Sequence, residues 1–260
     1  MNLPARPAIV FIHGALNDHS VWSAQAEALS AQGYQVLAPD LPGHGGTPGP
    51  ALATVEAMAD WLLAWLDAAG VARVLLAGHS LGSLIALAAA QRAPARVAGL
   101  ALLGTAAPMK VADALLATAL ADQDSAIAMV AQWSHAADAA EVEHAAALQA
   151  QSRQLMARVA AAGPAALLHT DLAACKAYAG GAQAAADAAC PVLFILGRGD
   201  RMTPPRAAKT LTEAVRHGTI VEVDAGHAMM AEQPAAVAHA LLAFATACDR
   251  PVSNTQARSD

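Results

Sequence analysis

The longest apolar tract in the chain runs from Val74 to Ala90, and Gly78-His79-Ser80 interrupts it. With those residues in its middle the tract does not read as a membrane span. It reads as a buried strand, Val74 to Ala77, followed by a buried helix, Leu81 to Arg92. A strand that is apolar at consecutive positions has two faces to cover. That requirement selects a parallel sheet with helices on both sides over a half-solvated antiparallel one.

The flanking sequence repeats the pattern. Strands are expected at Ala8 to Ile12, Gln35 to Ala38 and Val97 to Leu103, and helices at Ser20 to Ala31 and Ala51 to Ala69. Leu41 to Pro50 is loop by composition. From Ala106 to Ala189 the periodicity is helical and no strand is evident. Gly163-Pro164 and Gly180-Gly181 divide this stretch, which reads as an insertion of two short helical hairpins. Strands then resume at Val192 to Leu196 and Thr219 to Val223. Helices follow at Pro205 to Arg216, where the proline suits a first turn, and at Ala235 to Ala247. The expected fold class is therefore α/β: a doubly wound, mainly parallel sheet of about six strands with a helical insertion. Residues 1–105 and 190–248 form the core, 106–189 the insertion and 249–260 a polar, flexible tail.

Composition narrows the function. The net charge is −6 and no Lys/Arg cluster occurs, so nucleic-acid binding is not expected. Cys175, Cys190 and Cys248 are few and far apart, with no C-x-x-C pair, which speaks against a disulfide framework or a zinc site. Buried free thiols fit a reducing compartment. With no signal-peptide pattern at the start of the chain, a cytoplasmic location is expected.

The chemistry centres on Gly78-His79-Ser80-Leu81-Gly82, a G-x-S-x-G sequence between strand and helix. Glycines on either side permit a sharp turn that lifts the serine above the sheet edge. The helix start beside it offers free N–H groups and a favourable dipole to a developing oxyanion. A serine hydroxyl needs a base near neutral pH. Among ten histidines, His227 is distinguished by its place just after the sixth strand, at the same sheet edge as Ser80. A carboxylate should orient that imidazole. Asp200, after the fifth strand, is favoured over Asp224, whose closeness to His227 suggests a local turn.

These pieces resemble the α/β-hydrolase superfamily over roughly residues 8 to 248. The matching motifs are His13-Gly14, Asp40-Leu41-Pro42-Gly43-His44-Gly45, the Ser80 turn, Gly197-x-x-Asp200 with Thr203-Pro204, and Gly226-His227. The order serine, acid, histidine is that superfamily's order. The resemblance implies an oxyanion hole made by the backbone N–H groups of Ala15 and Leu81, with His13 and His44 structural. The short segment before Ala8 implies that the leading antiparallel hairpin of many relatives is absent or rudimentary. Ser rather than Asp at position 80 argues against the dehalogenase and epoxide-hydrolase branches.

The expected activity is hydrolysis of a small or medium carboxylic ester through an acyl-enzyme, with no cofactor. Lactone, thioester or carbon–carbon bond hydrolysis on the same three residues remains open. So do a ligand-binding sensor with little turnover and a perhydrolase-like side activity. The insertion is expected to cap the site. Met109, Met129, Trp133, Met202 and Met229 are candidates for the pocket wall, each equally suited to packing. Gln132, His135 and Arg153 are polar residues of the insertion without an assigned role.

Overall fold

A computed structural model describes residues 6–136 and 142–249. The expected tail lies, beyond Asp249, outside the described residues. The chain opens with β1 (Ala8–Ile12), a 3₁₀ turn (His19–Trp22), α1 (Ser23–Ser30) and β2 (Val36–Leu37). It continues with α2 (Val55–Ala68), β3 (Val74–His79), α3 (Leu81–Arg92) and β4 (Val97–Leu103). The helices of the insertion follow: α4 (Asp113–Ala121), α5 (Gln123–Trp133), α6 (Val142–Ala162), α7 (Leu167–Ala177) and α8 (Gly181–Ala186). After them come β5 (Val192–Gly197), a 3₁₀ turn (Pro205–Ala208), α9 (Lys209–Ala214), β6 (Gly218–Val223), α10 (Met229–Glu232) and α11 (Pro234–Cys248).

The sheet order is β2-β1-β3-β4-β5-β6, and every pairing is parallel. The winding reverses between β1 and β3, the first going outward to β2 and the second toward β6. A crevice opens at the C-terminal ends of strands where such a reversal occurs.

The two faces of the sheet carry separate cores. Val10, Ile12, Leu76, Leu102 and Phe194 pack under α2 and α3. Their neighbours in sequence, Phe11, Leu75, Ala77, Leu103 and Ile195, point the other way and pack with residues of α1 and α11. Side chains alternate across a strand, so residues buried on both faces make the run in sequence continuously apolar. On the second face Phe11 stacks on Trp22 with ring centroids 4.6 Å apart. Burying each such ring contributes about 2–3 kcal/mol.

Local chemistry explains where the elements depart from expectation. Helix α2 starts at Val55 rather than Ala51 because Thr54 caps it, its hydroxyl accepting from Ala57 N at 3.1 Å. The segment from Ser20 begins as a 3₁₀ turn, with the Asp18 carboxylate accepting from Ser20 N. The insertion is not two short hairpins. Helix α6 alone runs 21 residues, because no Gly or Pro interrupts it before Gly163. No helix among the described residues is long and apolar enough to cross a membrane.

Candidate active site

The turn between β3 and α3 is forced by its glycines. A Cβ on Gly78 would meet the backbone of Gly82 and Ser83, and one on Gly82 would meet the carbonyl oxygens of Ile12 and His13. Only hydrogen fits at either place. Between them Ser80 takes φ 52° and ψ −117°, a left-handed conformation that β-carbon sterics disfavour. Such strain aims the half-buried Ser80 side chain into the crevice instead of along the helix.

The loop after β1 forms the opposite wall. Gly14 to Asn17 is a turn closed by Asn17 N donating to Gly14 O, with Leu16 at φ 50° in its third position. That position of a type II turn ordinarily takes Gly or Asn. His13 braces the turn from behind: its Nδ1–H donates to Gly14 O at 2.9 Å and its Nε2 accepts from Leu41 N at 3.0 Å. Burial, aided by the neighbouring His44, pushes the His13 pKa down to about 4, so the ring is neutral and can play both parts.

The acid and the imidazole meet on the far side. Asp200 Oδ2 accepts from His227 Nδ1–H at 2.8 Å and from the Thr203 hydroxyl at 2.8 Å. Its Oδ1 accepts from the amides of Met202 and Thr203, both at 2.8 Å. Burial alone would raise this carboxyl. The positive field and hydrogen bond of His227, with the Thr203 bonds, outweigh it and hold Asp200 well below the usual carboxylate range. With Nδ1 engaged, Nε2 is the ring nitrogen of His227 that Asp200 leaves unbonded. Asp224 instead lies on the surface against Arg198, 2.5 Å away.

His79, the residue within the G-x-S-x-G turn, had no role assigned from sequence. It is buried, and its Nε2–H donates to His227 O at 2.9 Å, while the two rings lie 4.6 Å apart. Burial and the adjacent His227 push its pKa down to about 3. The segment after α5 and helix α10 supply further bracing. Ser134 O accepts from Ala228 N at 2.7 Å. The Glu232 carboxylate accepts from Gly226 N and from Ala136 N, each at 3.0 Å.

Ser80 and His227 line the same space. One cavity of about 570 Å³ runs from them past Ala15 toward Ala24, Leu155 and Pro234. A second, of about 370 Å³, runs past Met109, Leu115 and Trp133. Leu172 and Met202 border both. No hydrogen bond joins Ser80 Oγ to His227. The amide of Leu81 opens helix α3, where an N–H has no intrahelical acceptor, and Ala15 N makes no hydrogen bond among the described residues.

Of the five candidate wall residues, Met109, Trp133 and Met202 border these cavities. Met129 and Met229 do not. Met129 packs among the helices of the insertion. Met229 is fully buried in the core beneath the sheet, and its neighbour Met230 reaches the larger cavity. Of the unassigned polar residues, His135 is buried and bonded to Ala131 O, Gln132 O accepts from Arg201, and Arg153 is exposed. The three cysteines are free and buried. Burial pushes the thiols of Cys190 and Cys248 up to about 11 and that of Cys175 higher still.

Comparison with known proteins identifies the fold family. The chain is similar to a putative carbamate hydrolase of Klebsiella pneumoniae, 30% identical over 86% of each chain. It is also similar to a pimeloyl-[acyl-carrier protein] methyl ester esterase of Aromatoleum aromaticum, 47% identical over 38% of each chain. That match therefore spans well under half of the esterase's length. Among solved structures, the enol-lactonase from Burkholderia xenovorans superposes with a TM-score of 0.84 at 26% identity, covering 95% of this chain and 94% of that one. The thermophilic esterase from Thermogutta terrifontis superposes with a TM-score of 0.80 at 24% identity, over 94% and 91% of the two chains, and shares the fold. A family model described as alpha/beta hydrolase fold matches residues 7–234. The parallel sheet, the strained serine turn and the Asp–His pair at its rim thus belong to a hydrolase of the α/β type, and the chain is a member of the alpha/beta hydrolase fold family.

Proposed function

We propose that the protein is a serine hydrolase that cleaves small or medium carboxylic esters through an acyl-enzyme on Ser80. The observation that carries this is the meeting of Ser80 and His227 in one crevice, with Asp200 bonded to the far side of the imidazole at 2.8 Å. Ser80 Oγ attacks the ester carbonyl carbon as His227 Nε2 takes its proton. The carbonyl oxygen becomes an oxyanion between the N–H groups of Ala15 and Leu81, each such donor contributing about 3–4 kcal/mol. The intermediate collapses by breaking the bond to the alcohol oxygen, which leaves with the proton from His227. Water, deprotonated by the same nitrogen, then attacks the acyl carbon. Release of the acid returns the proton to Ser80.

The two cavities meet at Ser80, which suits a substrate with two arms, acyl on one side and alcohol on the other. The helices of residues 106–189 act in this reading as the cap over both arms. The likeness to an enol-lactonase favours a second reading, in which the alcohol stays tethered to the acyl group. The buried free thiols suit action in a reducing compartment such as the cytoplasm.

A panel of p-nitrophenyl esters of rising acyl length, run beside lactones, separates the two readings by which class turns over faster. Ser80→Ala is expected to lower kcat by about five to six orders of magnitude and to abolish labelling by a fluorophosphonate. Near-wild-type turnover in that variant would exclude the covalent route.

A further inference from the structure

We propose that Asp171, on helix α7 of the cap, is a positioning residue that holds the oxyanion loop in its working shape through the Leu16 amide. The proposal rests on the acyl-transfer reading above.

Asp171 is fully buried. Its Oδ2 accepts from Leu16 N at 2.8 Å and from His44 Nε2–H at 2.9 Å. Its Oδ1 has no partner among the described residues. Burying a carboxylate is costly unless it is well paired, so a half-paired one in the core is poor design for stability alone. A plain tie between α7 and the loop carrying His44 would need only the ion pair. The second bond goes to a backbone group 155 positions away, in the turn beside Ser80.

The backbone groups of that turn show what the bond accomplishes. Two peptide groups flank Ala15. Gly14 O, in the first, accepts from Asn17 N and from His13 Nδ1–H. Ala15 O, in the second, accepts from Asn17 Nδ2–H at 3.2 Å. The N–H of the second, that of Leu16, goes to Asp171. Three of the four groups are tied inside the protein, and the fourth, Ala15 N–H, is left at the cavity wall. Leu16 is meanwhile held at φ 50°, a conformation that persists only where its surroundings over-determine it. The Leu16 side chain packs among Leu115, Ile127 and Leu168 of the cap, so both its side chain and its N–H are held from there.

Asp171→Ala removes the acceptor. Asp171→Asn keeps, at the Oδ2 position, an oxygen that accepts from Leu16 N–H and from His44 Nε2–H, and removes only the charge. Displacing a catalytic group by about 1 Å costs on the order of 100-fold in rate. The alanine variant, folded by circular dichroism, is expected to lose about that factor in kcat with KM within threefold. Its affinity for a boronic acid, which mimics the tetrahedral intermediate, should fall in parallel, while affinity for the product acid holds. The asparagine variant is expected to restore kcat to within a few-fold of wild type. In the unaltered protein the Leu16 amide should exchange with deuterium far more slowly than an exposed loop amide. A folded alanine variant with kcat within threefold of wild type overturns the proposal. So does an asparagine variant as impaired as alanine, and so does rapid exchange at Leu16, which can be read even if the alanine variant does not fold. Absence of Ser80-dependent turnover in the wild type would instead sink the acyl-transfer reading and leave the exchange result standing.

Discussion

The two arms of the site are finished to different degrees. Around Asp200 and His227 the groups that orient are bonded: both carboxylate oxygens have two partners, His227 O is held by His79, and the following amide is held by Ser134. Around Ser80 and Ala15 the groups that would meet a substrate in the proposed reaction are left open, and two backbone positions, Ser80 and Leu16, sit in left-handed conformations. Satisfied bonds fix a tautomer and an angle. In the proposed reaction the unsatisfied donors and strained turns receive the oxyanion, and the rest of the fold stabilises them.

Breaking the finished arm should have the larger effect. Asp200→Asn leaves the geometry nearly intact but favours the wrong imidazole tautomer, and kcat is expected to fall by about 10⁴. A loss below tenfold would mean that another group orients His227. The open arm should respond in stability instead. Gly82→Ala drives a methyl into the carbonyl oxygens of Ile12 and His13, and a loss of about 3 kcal/mol is expected in urea unfolding. An unchanged midpoint would show that the turn relaxes freely.

The smallest effect separates the arms by pH. Asp200 is depressed in the folded state, so its contribution is complete above the unfolded value of about 3.9 and is lost as pH falls through the folded one. His44 runs the other way. Burial lowers its pKa, but the bond and charge of Asp171 raise it further, to a net value above normal. Its contribution is present below about 6.5 and fades as pH rises through the folded value. The stability gap between wild type and Asp200→Asn should therefore narrow in acid, and that between wild type and Asp171→Asn in mild alkali. Parallel curves for the two variants would mean that the arms are one network.

What could be read beforehand follows from how local the cause is. The Ser80 turn was legible because two glycines flanking a serine, between a strand and a helix, leave few conformations. The meeting of Asp200 and His227 was legible because strand ends in a parallel sheet converge on one rim. Asp171, Ser134 and Glu232 were not, since each reaches a backbone group far away in sequence (Leu16, Ala228 and Ala136) and carries no local mark. Met229 and Met230 show the limit sharply. Adjacent residues on a short helix diverge by about 100°, and without the helix orientation nothing says which one faces the cavity.

The contacts from α7 and from Ser134 also bear on how this enzyme can be remodelled. Exchanging the helical segment for that of a relative is an obvious way to seek a new substrate range. A transplant lacking an acidic residue opposite Leu16 and a carbonyl opposite Ala228 would release both loops at once. Such a chimera should bind its new substrate and turn it over slowly, until those two anchors are grafted along with the pocket.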